Sequence, residues 1–147
     1  MITVEREIRA PKPVADVVAY LADFAHAEQW DPGTISCTRI GDGPVAVGAA
    51  WANVSEFRGK RTELRYELTR LDERHTVFVG RNKTVTSTDD LSFADDGSGG
   101  TVMTYRATLE FHGLAKLATP FLRPAFTKLA DQTEESLTRV LAALPAQ

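Results

Sequence analysis

The sequence is short of most features that would announce a chemistry. Cys37 is the only cysteine in 147 residues, so no internal disulfide can form and no thiolate metal site can be assembled. His26, His75 and His112 are the only histidines. None lies at HxH or HExxH spacing, which argues against a metal centre. There is no GxSxG elbow, no P-loop and no dinucleotide fingerprint, and no cofactor is implied. No apolar run approaches the ~20 residues of a membrane span, which argues against stable membrane insertion. The opening MITVEREIRAP carries charge where a signal peptide needs an apolar core. Together with the lone thiol, this predicts a cytoplasmic setting. A basic stripe is also missing. Arg58, Lys60, Arg61 and Arg65 are interleaved with Glu56, Glu63 and Glu67, and the net charge is −3, which argues against a nucleic-acid partner.

What is present is an ordinary soluble composition, 43% hydrophobic and 25% charged. The length suits one domain over 1–147, large enough to bury a core without staples. Residues 2–9 alternate apolar and polar and read as a strand. Pro13 suits the first turn of a helix, and Val14, Val17, Val18 and Leu21 make 13–22 amphipathic. Asp23 can cap a second short helix, FAHAEQW, that stops before Asp31-Pro32-Gly33. Period two then returns. Strands are expected at about 34–41, 46–58, 61–71, 75–81, 84–94 and 101–112, divided by GDGP, RGKR, DER, GRNK and DDGSGG turns. Short connections make this an antiparallel meander. The tail places Leu114, Leu117, Phe121, Leu122, Leu129, Thr133, Leu137 and Leu141 on one helical side. Pro120 and Pro124 predict a kinked or two-part helix whose long piece starts near Pro124.

Turn chemistry suggests a register. Gly59-Lys60 as a type II′ loop would put Ser55 opposite Leu64, Asn53 opposite Tyr66 and Trp51 opposite Leu68. An Asp72-Glu73 turn would bring Val77 to Leu68 and Val79 to Tyr66. Loops at 81–83 and 95–99 would then set Val79 opposite Val85, His75 opposite Asp89, Leu91 opposite Met103 and Asp89 opposite Tyr105. The inner face would carry Asn53, Ser55, Tyr66, Ser87, Asp89 and Tyr105 among apolar neighbours. An unpaired buried amide or hydroxyl costs on the order of 1–3 kcal/mol. Either these groups pair with one another or the face encloses unfilled space, which is how small-molecule sites are built.

The stretches VEREIRAP (4–11), VVAYLADFAHAEQWDPG (17–33), GPVAVGAAW (43–51), EFRGKRTELRYEL (56–68) and GTVMTYRATLEFHGLAKLATPFLRPAF (100–126) span nearly the whole chain. In combination they resemble the helix-grip fold of the START and birch-pollen-allergen-like (SRPBCC) superfamily, in its bacterial polyketide cyclase/dehydrase-like branch. The resemblance implies an α+β fold, a seven-stranded antiparallel sheet curled around a long C-terminal helix. Two short helices would lie between strands 1 and 2, and a cavity between sheet and long helix. It also implies binding of lipid-, aromatic- or polyketide-like molecules, and in some members cyclase or dehydratase activity. It transfers no catalytic set to this chain, because fold does not fix chemistry.

The candidate ligand-binding residues are Trp30, Trp51, Asn53, Ser55, Tyr66, Ser87, Asp89 and Tyr105, with Phe121 and Leu129 from the tail helix. Asp89 is the candidate general base, since burial without a cation would raise its pKa. The plainer alternative is an Asp89 that accepts a hydrogen bond from Tyr105 or His75 and only stabilises the sheet. Tyrosines and tryptophans often fill cores with just their polar atom satisfied, and Cys37 reads as a small buried residue. Two functional readings follow: a binder of a small hydrophobic molecule, and a cyclase/dehydratase using the same cavity. A third is a module acting through a partner surface, for instance as a homodimer.

Overall fold

The computed structural model describes residues 1–145; the last two residues of the expected 1–147 domain lie outside the described residues. The order is β1 (Ile2–Ala10), α1 (Val14–Ala22), a 3-10 turn (Phe24–His26), α2 (Ala27–Trp30), β2 (Thr34–Ile40), β3 (Ala50–Phe57), β4 (Lys60–Asp72), β5 (His75–Arg81), β6 (Val85–Asp95), β7 (Thr101–Phe111), a second 3-10 turn (Gly113–Ala118) and α3 (Thr119–Ala142). The strands form one seven-stranded antiparallel sheet in the order β1-β7-β6-β5-β4-β3-β2. The meander leaves β7 with a free edge, and β1 closes it. This is the helix-grip arrangement that the family resemblance implies.

The β3–β4 hairpin shows how the faces are set. Its loop is Arg58-Gly59 rather than Gly59-Lys60. Both residues have positive φ, 54° and 78°, as a type I′ turn requires. Trp51 therefore pairs with Tyr66, Asn53 with Leu64 and Ser55 with Thr62. The partners differ from expectation by two residues, and an even shift leaves every side chain on its expected face. The same holds between β6 and β7, where Leu91 pairs with Tyr105 and Asp89 with Ala107. Residues 46–49 are not strand. Gly48 turns to φ 98°, although its N–H still reaches Leu68 O at 2.9 Å.

β5 is turned over relative to expectation. A one-residue bulge between Leu68 and Arg70 changes the parity, so Leu68 meets Phe78 and Tyr66 meets Gly80. Thr76 and Phe78 are fully buried and point inward, while Val77 and Val79 occupy the alternate face. The run Val77-Phe78-Val79 is apolar throughout, so alternation carries no signal there. A second odd offset between β5 and β6, with His75 opposite Ser92 and Val79 opposite Thr88, restores the expected facing of β6.

Gly80 is required where it stands. A Cβ there would lie 2.6 Å from Cε1 and Cζ of Tyr66, so the ring lies across the bare backbone of the neighbouring strand. Gly80→Ala is expected to displace the ring and destabilise the fold by about 1–3 kcal/mol, read from urea unfolding.

The long helix starts at Thr119, not near Pro124. Pro120 sits in its first turn, where no intrahelical donor is lost, and Pro124 is carried inside the helix. Its buried residues begin at the midpoint and run into the C-terminal half: Ala130, Thr133, Ser136, Leu137 and Leu141. That half is pressed into the core with Ile8, Leu21 and Trp30, and Arg6 of β1 pairs with Asp131 at 2.8 Å. The N-terminal half stands off the sheet, tied to it by Phe126 stacked on Phe57 with centroids 4.5 Å apart.

Candidate functional site

Between the raised half of α3 and the inner face of the sheet lies a cavity of about 560 Å³, within the roughly 300–1,000 Å³ typical of small-molecule sites. Its walls are apolar: Val4, Leu64, Val85, Ala107, Leu109 and Phe111 from the sheet, Leu122, Phe126 and Leu129 from α3. Its deep end is polar, with Asp31, Ser55, Tyr66, Ser87, Asp89 and Tyr105. Arg58 and Lys60, both exposed, mark its outer end.

Among the described residues, the deep end holds two carboxylates, Asp31 and Asp89, and no cation. The Tyr105 hydroxyl donates to Asp89 Oδ1 at 3.2 Å. Burial, reinforced by the negative charge of Asp31, pushes Asp89 up to about 7, against the pull of the Tyr105 hydrogen bond. Burial also raises Asp31, opposed by bonds from Gly33 N–H at 3.0 Å and Thr34 Oγ1 at 2.9 Å. The hydroxyls of Tyr66 and Tyr105 lie well above the usual tyrosine value, through burial first and the Asp89 charge second. Near neutral pH the tyrosines keep their protons and Asp89 is partly protonated. Tyr105→Phe removes the bond that favours the ionised carboxylate, so Asp89 is expected to titrate at a higher pH in that variant. Carboxyl-carbon NMR reads this directly.

The other candidates are placed as follows. Ser55, Tyr66, Ser87, Asp89, Tyr105 and Leu129 line the cavity. Asn53 does not: its amide donates to Thr34 Oγ1 at 3.1 Å and accepts from Ser55 Oγ at 2.6 Å. Part of the inner-face polarity is therefore satisfied by pairing, not by open space. Trp51 is fully buried, donates to Asp23 Oδ1 at 3.0 Å and packs edge-on to Phe78. Trp30 does not line the cavity: it is 1% exposed, in the core beside Tyr105. Phe121 points to solvent at 77% exposure. His75 bonds Asp90, not Asp89, at 2.6 Å. Burial holds the Cys37 thiol up at about 11, which makes it a poor nucleophile. Among the described residues no group of three His, Cys, Asp or Glu could hold a metal ion.

Asp31 and Phe126 are cavity residues that sequence reasoning missed. Asp31-Pro32-Gly33 carries a turn signal, and the turn is real, with the Asp31 side chain accepting the Gly33 N–H. Nothing in that signal says which way the second carboxylate oxygen faces.

The sequence matches the polyketide cyclase/dehydrase and lipid transport family over residues 1–142. The chain belongs to that family. No curated protein matches the family member described here by sequence. Solved structures with similar coordinates share its helix-grip fold. A START superfamily protein from Mycobacterium smegmatis is 15% identical, with a TM-score of 0.71 over 95% of this chain and 94% of that one. The Zhui aromatase/cyclase from a Streptomyces species is 16% identical, with a TM-score of 0.67 over 98% of each chain. The di-domain ARO/CYC protein BexL is 16% identical with a TM-score of 0.71, and the chain spans about half of its length, 51%. At such identities the likeness is one of fold. Among the described residues, no helix is long and apolar enough to cross a membrane.

Proposed function

We propose that the protein binds one small hydrophobic molecule, of lipid, aromatic or polyketide-like character, in the cavity between sheet and α3. The supporting observation is the cavity's composition: apolar walls closing on a deep end where Tyr66, Ser87, Asp89 and Tyr105 converge. Desolvation of the ligand's apolar body supplies affinity. The tyrosine hydroxyls donate to a ligand carbonyl or hydroxyl, and Asp89 accepts from a ligand donor or gives its own proton. A cytoplasmic setting fits the single reduced thiol. Titration with Nile red, a neutral apolar dye, tests the reading. One saturable site with a blue-shifted emission is expected. Emission that rises without saturation, or no enhancement, would reject it.

A second reading is favoured by the Asp89–Tyr105 pair. A carboxyl group that titrates near neutrality beside two un-ionised tyrosines can remove a proton from a carbon between two carbonyls while the hydroxyls stabilise the enolate. That is the chemistry of a cyclase or dehydratase acting on a polyketone. Asp89→Asn should abolish such turnover yet leave Nile red affinity unchanged. Full turnover in the variant would remove Asp89 from the mechanism.

A further inference from the structure

We propose that the outer rim of the cavity docks peripherally on an anionic lipid bilayer, with Leu114, Leu117 and Phe121 entering the headgroup layer and basic side chains around them meeting lipid phosphates. Three segments build this rim: the hairpin 57–62, the loop 82–84 and the stretch 112–123. They border one opening, since Arg58, Lys60, Thr84, Ala115, Ala118 and Leu122 all line the same cavity. They are also joined directly. The His112 N–H donates to Thr84 O at 2.8 Å, and Asn82 Nδ2 donates at 3.0 Å to the carbonyl of Glu63, the β4 residue next after the hairpin segment.

Two observations point to a membrane. The first is apolar exposure. Leu114, Leu117 and Phe121 are 87%, 73% and 77% exposed, and their three- and four-residue spacing runs from the 3-10 turn into the first turn of α3. Single exposed apolar residues are ordinary, but a cluster at a cavity mouth marks an interaction surface. The second is charge. Arg58, Lys60, Arg61, Lys83, Lys116 and Arg123 are all exposed, and the three segments contain no Asp or Glu, in a chain of net charge −3. The nearest acids in sequence, Glu56, Glu63 and Glu110, belong to strands β3, β4 and β7. The positive end of the α3 dipole lies at the same place. The molecule is thus a charge dipole that turns its rim toward an anionic surface.

Large apolar side chains ringed by Lys and Arg are the build of an interfacial membrane contact. A symmetric pair of copies would instead bring two basic rims together and repel. Docking goes beyond the binding reading. It places the opening against the bilayer, so that an apolar molecule could pass between lipid and cavity without crossing water, but vesicle binding is measured whether or not the cavity takes a guest.

Co-sedimentation of the full chain with two kinds of vesicle tests the proposal. One is pure phosphatidylcholine and the other equal parts phosphatidylcholine and phosphatidylglycerol. Binding to the mixed vesicles is expected, about tenfold or more weaker on phosphatidylcholine alone, and falling as salt screens the rim. L117S/F121S and K116E/R123E should each weaken it by about tenfold or more. Because these four side chains are exposed, both variants should melt as the wild type does. No binding to mixed vesicles, or undiminished binding by L117S/F121S, would overturn the proposal. A wild-type dimer that F121S converts to monomer would reassign the rim to a second copy. Salt-sensitive capture of an acidic protein without vesicle binding would reassign it to a protein partner.

Discussion

Asp89→Asn is expected to stabilise the protein above neutral pH, by about 4 kcal/mol at most. The Asp89 carboxyl is raised to about 7 in the folded chain, first by burial and then by the charge of Asp31, whereas an unfolded aspartate titrates near ~3.9. Below about pH 4 both states carry the proton and the group contributes nothing. As pH rises from about 4 to about 7, the unfolded chain has released a proton that the folded chain still holds, so stability falls. Above about 7 the folded state carries a desolvated charge and the full cost is felt, about 1.4 kcal/mol for each pKa step. Asparagine keeps the acceptor for Tyr105 and never ionises. The variant should therefore match the wild type near pH 4 and melt roughly 10 °C higher near pH 8. A variant less stable than wild type at the higher pH would mean that the carboxylate is solvated or neutralised.

The second large effect is expected from closing the cavity. Ala107 lies on β7 opposite Asp89, and Leu129 belongs to α3; both line the void. In the double variant A107F/L129W, a phenyl ring and an indole enter from the two walls. Extra volume in a packed core costs about 1–3 kcal/mol, but here it enters open space and replaces no neighbour. Nile red affinity should fall by about a hundredfold, the scale of losing most of an apolar ligand's burial, while the unfolding midpoint stays within a few degrees. Loss of the fold would show that the space is already filled, and unchanged affinity would place the dye elsewhere.

Much of this architecture was legible because its errors preserved parity. Displacing the β3–β4 hairpin by two residues changes every partner and no face, which keeps Ser55 and Tyr66 inside; Ser87, Asp89 and Tyr105 keep their inward facing because the two odd offsets on either side of β5 cancel and the β6–β7 shift is even. β5 was not legible, since Val77-Phe78-Val79 offers no polar residue to mark the outside and the bulge near Thr69 has no sequence signal. Asn53 illustrates a different limit. Its inward facing was readable, but its bonds to Thr34 and Ser55 depend on how β2 lies against β3. Phe121 followed the helical apolar stripe faithfully and still points to water, because α3 is raised off the sheet at that end. Periodicity reports a shared side, not whether anything covers it. The same raised end opens the cavity and exposes the rim.

Intermolecular NOEs between Nile red and methyl-labelled leucines test the account most directly. Contacts to Leu64 and Leu129, from the sheet and helix walls, are expected at one-to-one stoichiometry, and the Leu64 contacts should vanish in A107F/L129W. Contacts confined to Leu114 and Leu117 would place the dye on the exposed rim, and the interior would then not be a binding site.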